Sequence, residues 1–211
     1  MTSLYLVRHG ETDWNAQRRI QGTTDIPLNE TGRSQAATTG RLLARRSWDG
    51  IYSSPLSRAY DTANIIAGEL GMSEPGRIDA LVERNYGEAE GLNWEEIDRM
   101  FPGDTPVPGR EEREEVTLRV LPALVALAQE RQGESLIVVS HGGVIRSVLN
   151  VVDPTTTHGA ITNGSVHSFE LVDGALELIA FDDPIDELSL QYGTDDLDEQ
   201  NALENRDTIR G

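Results

Sequence analysis

The sequence contains no cysteine and no lysine. Without cysteine, the chain cannot form a disulfide, use a thiol as nucleophile or bind a metal through thiolates. All 18 basic residues are arginines, and the absence of lysine excludes Schiff-base chemistry and the lysine of a P-loop. These two absences remove the usual rivals of histidine as a covalent nucleophile.

Long apolar runs and a targeting segment are also missing. No apolar run approaches the roughly 18 residues that a membrane-spanning helix needs. The first residues lead directly into an apolar strand and lack the basic region and the small-residue cleavage site of a signal peptide. We therefore expect a cytoplasmic protein without a membrane partner, and 211 residues are enough for one globular domain.

Basic charge is scarce, because 36 acidic residues outweigh 18 basic ones and give a formal net charge of −18. Binding to a nucleic-acid backbone requires a basic face, so a nucleic-acid partner is not expected. An anion site must be local and built from arginines. Such a site is feasible because physiological salt screens the overall field beyond about 8 Å.

Strand and helix patterns alternate along the chain. Predicted strands cover residues 3–8, 48–54, 78–82, 136–140, 166–172 and 175–181. Predicted helices cover residues 30–46, 55–70, 93–100, 110–131 and 142–151, and Pro122 is expected to kink or divide the fourth of these. Gly71 suits a helix end, and Asp173-Gly174 suits a two-residue hairpin turn. The alternation predicts an α/β sandwich with a mostly parallel sheet and one antiparallel hairpin.

The last 30 residues differ in composition from the rest. Residues 182–211 hold ten acidic residues and two arginines, with little apolar content. We therefore predict a catalytic domain over residues 1–181 and a solvated acidic extension over residues 182–211.

The first chemically informative segment reads L-V-R-H-G-E-T and follows the first predicted strand. Its His9 lies beside Arg8, and a nearby positive charge keeps an imidazole neutral and therefore nucleophilic. The same arginine suits the oxygens of a phosphoryl group, and Gly10 permits close approach of the backbone. A lone Arg-His pair would be weak support, so the interpretation depends on the segments that follow.

Two later segments fit the same chemistry. The segment S-S-P-L-S-R-A places Arg58 in the first turn of a helix, where the helix N terminus and the guanidinium together form an anion site. The segment V-S-H-G-G-V-I-R repeats the first pattern, because an apolar strand leads to His141 and then to a helix that begins at glycine. In open α/β sheets, ligands bind beyond the carboxyl ends of the strands.

The order of these segments resembles the histidine phosphatase superfamily, also called the phosphoglycerate mutase-like family. The matching segments are R-H-G-E-T, S-S-P-L-x-R-A-x-x-T-A, E-R-x-Y-G-E-x-E-G-L and V-S-H-G-G-V-I-R. The resemblance extends from Leu4 to about Leu171. It implies a three-layer α/β/α sandwich with a mostly parallel mixed sheet, as in phosphoglycerate mutase, and a phosphoryl-transfer activity that uses neither a metal nor another cofactor.

The resemblance also implies a role for each matching residue. His9 would accept the phosphoryl group, while Arg8, Arg58 and His141 would hold its oxygens, His141 as a cation. Glu83 would protonate the leaving oxygen and then activate water. The residues implied to contact phosphate or substrate are Asn15, Gln21, Gly22, Thr23 and Gly142.

Three functions remain open, and we favour hydrolysis of a small phosphorylated substrate. A 2,3-bisphosphoglycerate-dependent phosphoglycerate mutase is the first alternative, because the segment E-R-N-Y-G is mutase-like. However, Trp94 stands where mutases usually carry a lysine, and Gly-Gly follows His141 where they usually have Gly-Asn. The second alternative is a weakly catalytic phospholigand-binding or regulatory protein that uses the acidic extension.

The physiological substrate is not defined by these patterns. The resemblance allows sugar phosphates, phosphoglycerate derivatives, α-ribazole phosphate and phosphoserine. Monomer and homodimer are equally compatible with the sequence.

Overall fold

The apolar segments form one six-stranded sheet in the computed structural model, which describes residues 1–183 and residue 185. The strands are β1 (Ser3–Arg8), β2 (Gly50–Ser53), β3 (Gly76–Arg77), β4 (Ser135–Ser140), β5 (Val166–Val172) and β6 (Ala175–Ala180). Their order is β3-β2-β4-β1-β5-β6. The first four strands in this order are parallel to one another. Strand β5 pairs antiparallel with β1, and β6 pairs antiparallel with β5. The mixed, mostly parallel sheet confirms the predicted fold class.

Helices cover both faces of the sheet. They are α1 (Asp13–Ala16), α2 (Glu30–Leu43), α3 (Ser57–Leu70), α4 (Trp94–Met100), α5 (Arg113–Glu130) and α6 (Gly142–Val152). One apolar cluster joins α5 and α6 to side chains of β1 and β4 that include Leu4 and Val138. A second cluster joins α2 and α3 to the opposite face, which includes Val7 and Val139. Side chains along β1 and β4 point alternately to the two faces of the sheet, so each face has its own hydrophobic core.

Local signals end several elements where the sequence predicted. Gly71 ends α3 with a left-handed φ of 66°, a conformation that costs glycine little. Asp173 and Gly174 have φ values of 49° and 85° and connect β5 to β6. Two consecutive positive φ values characterise the type I′ turn, which matches the twist of a hairpin.

The predicted strand over residues 78–82 is wrong. The chain pairs with β2 only at Gly76 and Arg77, and Asp79–Leu81 forms a short 3-10 turn. The reason is a competing partner, because the guanidinium of Arg119 takes the carbonyl oxygens of Ala80 and Val82 at 2.6 and 2.8 Å. A sheet neighbour cannot bond to the same groups in the ladder geometry.

The predicted helix over residues 110–131 is shorter than expected and is not divided. Helix α5 begins at Arg113 and continues through Pro122 to Glu130. Proline leaves the carbonyl of Leu118 without its helical donor. The side chain of Leu118 is exposed, and at an exposed position water can satisfy this carbonyl.

The predicted acidic extension falls mainly on residues 184 and 186–211, which lie outside the described residues. Asp183 is described, and its N–H donates to the carbonyl of Val166 at 2.7 Å while its carboxylate accepts from Arg46 at 3.3 Å. No helix in the described part of the chain is long and apolar enough to cross a membrane.

Candidate active site

Three parallel strands end side by side and bring the predicted chemistry to one edge of the sheet. Arg8 of β1 is the register partner of Ser140 of β4, so His9 and His141 emerge next to each other. Their ring centroids are 5.2 Å apart. On the other side of β4, β2 delivers Ser54, whose N–H donates to the carbonyl of Val139 at 3.0 Å.

His9 is buried, and its hydrogen bonds define its protonation. Its Nδ1 lies 2.6 Å from the carbonyl oxygen of Gly10. A carbonyl can only accept, so the proton is on Nδ1 and the lone pair is on Nε2. Burial, followed by the charges of Arg58 and Arg8, lowers the pKa of His9 well below 6.5 despite the opposing bond to Gly10. At neutral pH His9 therefore has a nucleophilic Nε2.

Arg58 contacts this lone pair directly. Its Nε donates to His9 Nε2 at 3.2 Å, and its terminal nitrogens donate to the carbonyls of Gly22 and Thr24 at 2.7 and 3.0 Å. Burial lowers the pKa of Arg58 to about 10, although Glu83 and other carboxylates act in the opposite direction. Arg58 consequently stays cationic at neutral pH.

His141 is fully buried and has a different environment. Its Nε2 lies 2.8 Å from Ser54 Oγ. Burial, followed by the charges of Arg58, His9, Arg8 and Arg119, lowers the pKa of His141 well below 6.5. This direction favours a neutral ring in the absence of a bound anion, and the cation that the resemblance implied stays a prediction.

Glu83 lies at the N terminus of α6. Its carboxylate accepts from the backbone N–H groups of Gly143 and Val144 at 3.0 and 3.1 Å. The partial positive charge of a helix N terminus stabilises a carboxylate there. Arg119 holds the same segment from α5, because its guanidinium donates to the carbonyl of Glu83 at 3.2 Å and pairs with Glu111 at 2.8 Å.

The loop over residues 22–24 is held in place by Glu90. The Glu90 carboxylate accepts from the backbone N–H groups of Thr23 and Thr24, both at 2.9 Å, and from that of Tyr86 at 3.1 Å. Burial alone would raise the pKa of Glu90, but the bonds from Thr24, Thr23 and Tyr86 lower it overall. This carboxylate therefore fixes the carbonyl groups that Arg58 uses.

The remaining predicted contact residues lie around the same loop. Asn15 caps α1, with its carboxamide oxygen accepting from Thr12 N at 3.1 Å, and Gln21 Oε1 accepts from Thr12 Oγ at 2.5 Å. The backbone and hydroxyl of Thr23 both donate to Glu90. The Nε2 atom of Gln21 is buried without a hydrogen-bond partner among the described residues, and the part of these side chains in substrate binding remains a prediction.

Arg8 and Gly142 complete the set of predicted residues. Arg8 is buried and donates to the carbonyl of Ile161 at 2.6 Å. Gly142 begins α6, and a Cβ added there would lie 3.5 Å from Arg8 Nε. Gly143 has less room, because a Cβ would lie 2.6 Å from a Glu83 oxygen. The glycine pair thus lets Arg8 and Glu83 approach the start of α6.

The other two histidines, His158 and His167, have hydrogen-bond and ionic partners outside this site. His167 is buried, and its Nδ1 accepts from the backbone N–H of Asp182 at 3.0 Å. Burial, with Arg146 and His158, lowers the pKa of His167 to about 3. His158 lies 3.2 Å from the carboxylate of Asp153. Within the described ranges, no group of three or more histidine, aspartate or glutamate side chains is arranged to hold a metal ion.

Sequence reasoning assigned no role to four residues that support the site. They are Ser54, Glu90, Arg119 and Asn163, whose amide donates to the carbonyl of His9 at 2.9 Å. Ser54 and Glu90 lie inside the matching segments, which was an available signal. Arg119 and Asn163 lie far from them in sequence, so only tertiary contacts reveal their position.

Sequence comparisons with known proteins support the family resemblance that the motifs indicated. The family model described as "Histidine phosphatase superfamily (branch 1)" matches residues 4–184. An uncharacterised phosphatase PhoE of Bacillus subtilis (strain 168) is 40% identical over 82% of this chain and 90% of that protein. A metal-independent phosphoserine phosphatase of Arabidopsis thaliana is 36% identical over 82% of this chain and 78% of that protein. A 2,3-bisphosphoglycerate-dependent phosphoglycerate mutase of Rhizobium etli is 35% identical over 74% of this chain and 82% of that protein.

Solved structures share the fold over most of the chain. Bacillus stearothermophilus YhfR superposes with a TM-score of 0.79 at 31% identity, over 88% of this chain and all of that one. A phosphoserine phosphatase of Entamoeba histolytica bound to phosphoserine has a TM-score of 0.72 at 29% identity, over 86% of this chain and 97% of that one. With paired histidines at neighbouring strand ends and a family match over most of its length, the chain belongs to the histidine phosphatase superfamily, branch 1.

Proposed function

We propose that this chain is a phosphomonoesterase that hydrolyses a small phosphorylated metabolite through a phosphohistidine intermediate on His9. The observation that carries the proposal is that Nε2 of His9 carries no proton and has a lone pair. The Gly10 carbonyl orients the ring, and the buried cations Arg58 and Arg8 lie near it. An electron pair at this atom, beside fixed positive charge, suits attack on a phosphoryl group.

In the first half-reaction, His9 Nε2 forms a bond to phosphorus as the bond from phosphorus to the ester oxygen breaks. Arg58 exchanges its bond to Nε2 for one to a phosphoryl oxygen, and Arg8 neutralises part of the charge that spreads over these oxygens. The leaving oxygen takes a proton from Glu83, which takes up its acid form when the negatively charged phosphoryl group of the substrate lies beside it. Glu83 is close enough to Arg58 to influence its charge state, which supports this placement.

In the second half-reaction, the Glu83 carboxylate removes a proton from water as the water oxygen attacks phosphorus. The bond between phosphorus and His9 Nε2 breaks, which releases inorganic phosphate and restores the neutral imidazole. Glu83 regains the proton that it gave to the alcohol, so the cycle balances.

The names of relatives suggest which substrates to try. Relatives and structural neighbours are named for phosphoserine and for glucosyl-3-phosphoglycerate. We therefore propose a phosphorylated small acid or sugar acid as the first substrate class, with a broader panel of sugar phosphates beside it.

The test is phosphate release from p-nitrophenyl phosphate and from this panel, with EDTA present. We expect turnover by the native chain and an acid-labile phosphoenzyme after rapid mixing. His9→Ala should show neither. No release across the panel, or activity that survives in His9→Ala, would falsify the proposal. Phosphate binding without a trapped phosphoenzyme would favour the ligand-binding alternative.

A phosphoglycerate mutase is the second candidate, favoured by the similarity to the R. etli protein of that name. Against it, Trp94 packs against the apolar cluster of Ile20, Tyr86, Ala89 and Ile97, and it offers no positive charge for a substrate carboxylate. Interconversion of 3- and 2-phosphoglycerate in the presence of the bisphosphate, faster than hydrolysis, would favour the mutase.

A further inference from the structure

Ser54 lies in the active site but has no role in the mechanism above. It follows β2 and is fully buried. Its Oγ is 2.8 Å from Nε2 of His141 and 3.3 Å from the backbone N–H donor of Leu56. The Leu56 bond occupies one lone pair of the hydroxyl oxygen, so the remaining question is where the single hydroxyl hydrogen lies.

Counting donors and acceptors gives the first part of the answer. Among the described residues, His141 Nε2 is the one acceptor within hydrogen-bonding distance of the Ser54 hydroxyl. If Nε2 carried a proton, that proton would point at Ser54 Oγ and the serine hydrogen would be buried without a partner. Leaving a buried donor unsatisfied is unfavourable. With Ser54 donating to a bare Nε2 the hydroxyl is satisfied, but the ring proton then lies on Nδ1, which has no partner among the described residues.

The other ring nitrogen decides between the two tautomers once a phosphoryl group is bound. Nδ1 of His141 is buried and has no hydrogen-bond partner among the described residues. A neutral imidazole with a bare Nε2 carries its proton on Nδ1. The ring lies 5.2 Å from that of His9, so this N–H is a free donor next to the nucleophile. A bare Nδ1 would instead present a lone pair to the negative oxygens of a phosphoryl group.

We propose that Ser54 is a positioning residue that donates to Nε2 of His141 and holds it in the neutral tautomer whose Nδ1–H binds the transferring phosphoryl group. The assignment rests on the proposed phosphatase function, because the phosphoryl group supplies the acceptor for Nδ1–H. His141 then stabilises the transition state as a directed donor, while the positive charge comes from Arg8 and Arg58.

The direct test is nitrogen-15 NMR of the native chain labelled at histidine, recorded near pH 7 with inorganic phosphate bound in place of the phosphoryl group. The chain has four histidines, and His141→Gln identifies the His141 signals by their loss. We expect a protonated Nδ1 and a non-protonated Nε2 for His141. A proton on Nε2, alone or together with one on Nδ1, overturns the proposal.

Kinetics test the functional part, with Ser53→Ala as a matched control. Ser53 is equally buried, but its hydroxyl donates to the Ser54 carbonyl at 2.9 Å and not to a histidine. Ser54→Ala should lower kcat roughly 10- to 100-fold with little change in KM, and His141 should lose its single tautomer. Ser53→Ala should keep native turnover. A folded Ser54→Ala protein with native kcat overturns the role of Ser54 in catalysis.

The two proposals fail in different ways. The spectrum needs no substrate, so absence of turnover across the substrate panel counts against the phosphatase function alone. A proton on Nε2 counts against the Ser54 assignment alone. The spectrum of the native chain also keeps the assignment testable if the Ser54 variant does not fold.

Discussion

Strands β1 and β4 end in the same way, but the histidines that follow them have different hydrogen-bond partners. Each parallel strand ends at a buried histidine followed by glycine, and the two strands are neighbours in register. In His9 the Nδ1 atom is bonded to a backbone carbonyl, which leaves Nε2 with a lone pair. In His141 the Nε2 atom is bonded to a serine hydroxyl, which can donate as well as accept. The partner of the ring, more than its place in the fold, determines which nitrogen is available for chemistry.

The largest effect should come from removing one or the other ring. His9→Gln should abolish phosphoenzyme formation and lower kcat roughly 10⁴-fold or more, because the nucleophile is gone. His141→Gln should still form a phosphoenzyme, with a rate lowered roughly 10²- to 10³-fold, since it removes a donor to the phosphoryl group. Rapid-quench trapping of the acid-labile phosphoenzyme measures both. His158→Gln serves as the control, and equal loss of phosphoenzyme in both active-site variants would contradict the division of roles.

The glycines after the two histidines should also behave differently. A Cβ at Gly10 would lie 2.2 Å from the backbone carbonyl oxygen of Gly32, whereas a Cβ at Gly142 meets nothing nearer than 3.5 Å. Gly10→Ala should therefore lower the free energy of unfolding by about 1–3 kcal/mol. Gly142→Ala should change it by no more than about 0.5 kcal/mol. Urea unfolding followed by circular dichroism gives both values, and similar losses would show that the two strand ends are equally crowded.

Glu90 affects the His9 side of the site through the loop that supports Arg58. In Glu90→Gln one carboxylate oxygen becomes an NH₂ group that faces backbone N–H donors of Thr23, Thr24 or Tyr86. We expect kcat/KM to fall about tenfold as Arg58 loses its fixed carbonyl partners. Glu88 is exposed, so Glu88→Gln is the matched control. Initial-rate kinetics with p-nitrophenyl phosphate tests the pair, and equal activities would show that the loop needs no such anchor.

The last comparison concerns the pH dependence of stability. His9, His141 and His167 have pKa values lowered by burial, so below about pH 6.5 the unfolded chain binds protons that the folded chain does not. Stability is therefore retained above that pH and falls as the pH drops, by up to about 1.4 kcal/mol per pH unit for each histidine.

Replacing the histidine outside the active site isolates one of these contributions. In His167→Gln, the proton uptake on unfolding near pH 5 should fall by about one proton relative to the native chain. Urea unfolding at several pH values between 5 and 7 measures this slope. An unchanged slope would mean that His167 takes up its proton without unfolding.

Local patterns were sufficient for the elements that carry the two histidines. β1 and β4 are apolar segments followed by a polar turn and glycine, and they form as predicted. The segment over residues 78–82 has the same apolar character but forms almost no strand. The carbonyl groups of Ala80 and Val82 bond to Arg119, which is 37 to 39 residues away in sequence. Helix α5 likewise begins at Arg113 because the preceding residues pair elsewhere, with Arg110 bridged to Tyr86.

The sequence by itself determined the residue types that are available to the candidate site, among them histidine and arginine. It has neither cysteine nor lysine, and its order of motifs indicates the family that the comparisons then showed. Only the tertiary structure decided that Nε2 of His9 is free of the ring proton and that burial among Arg8 and Arg58 lowers the pKa of both histidines, because these properties depend on the Gly10 carbonyl and on burial. Residue order specifies the chemical groups, whereas protonation depends on the partners and the degree of burial that folding brings together.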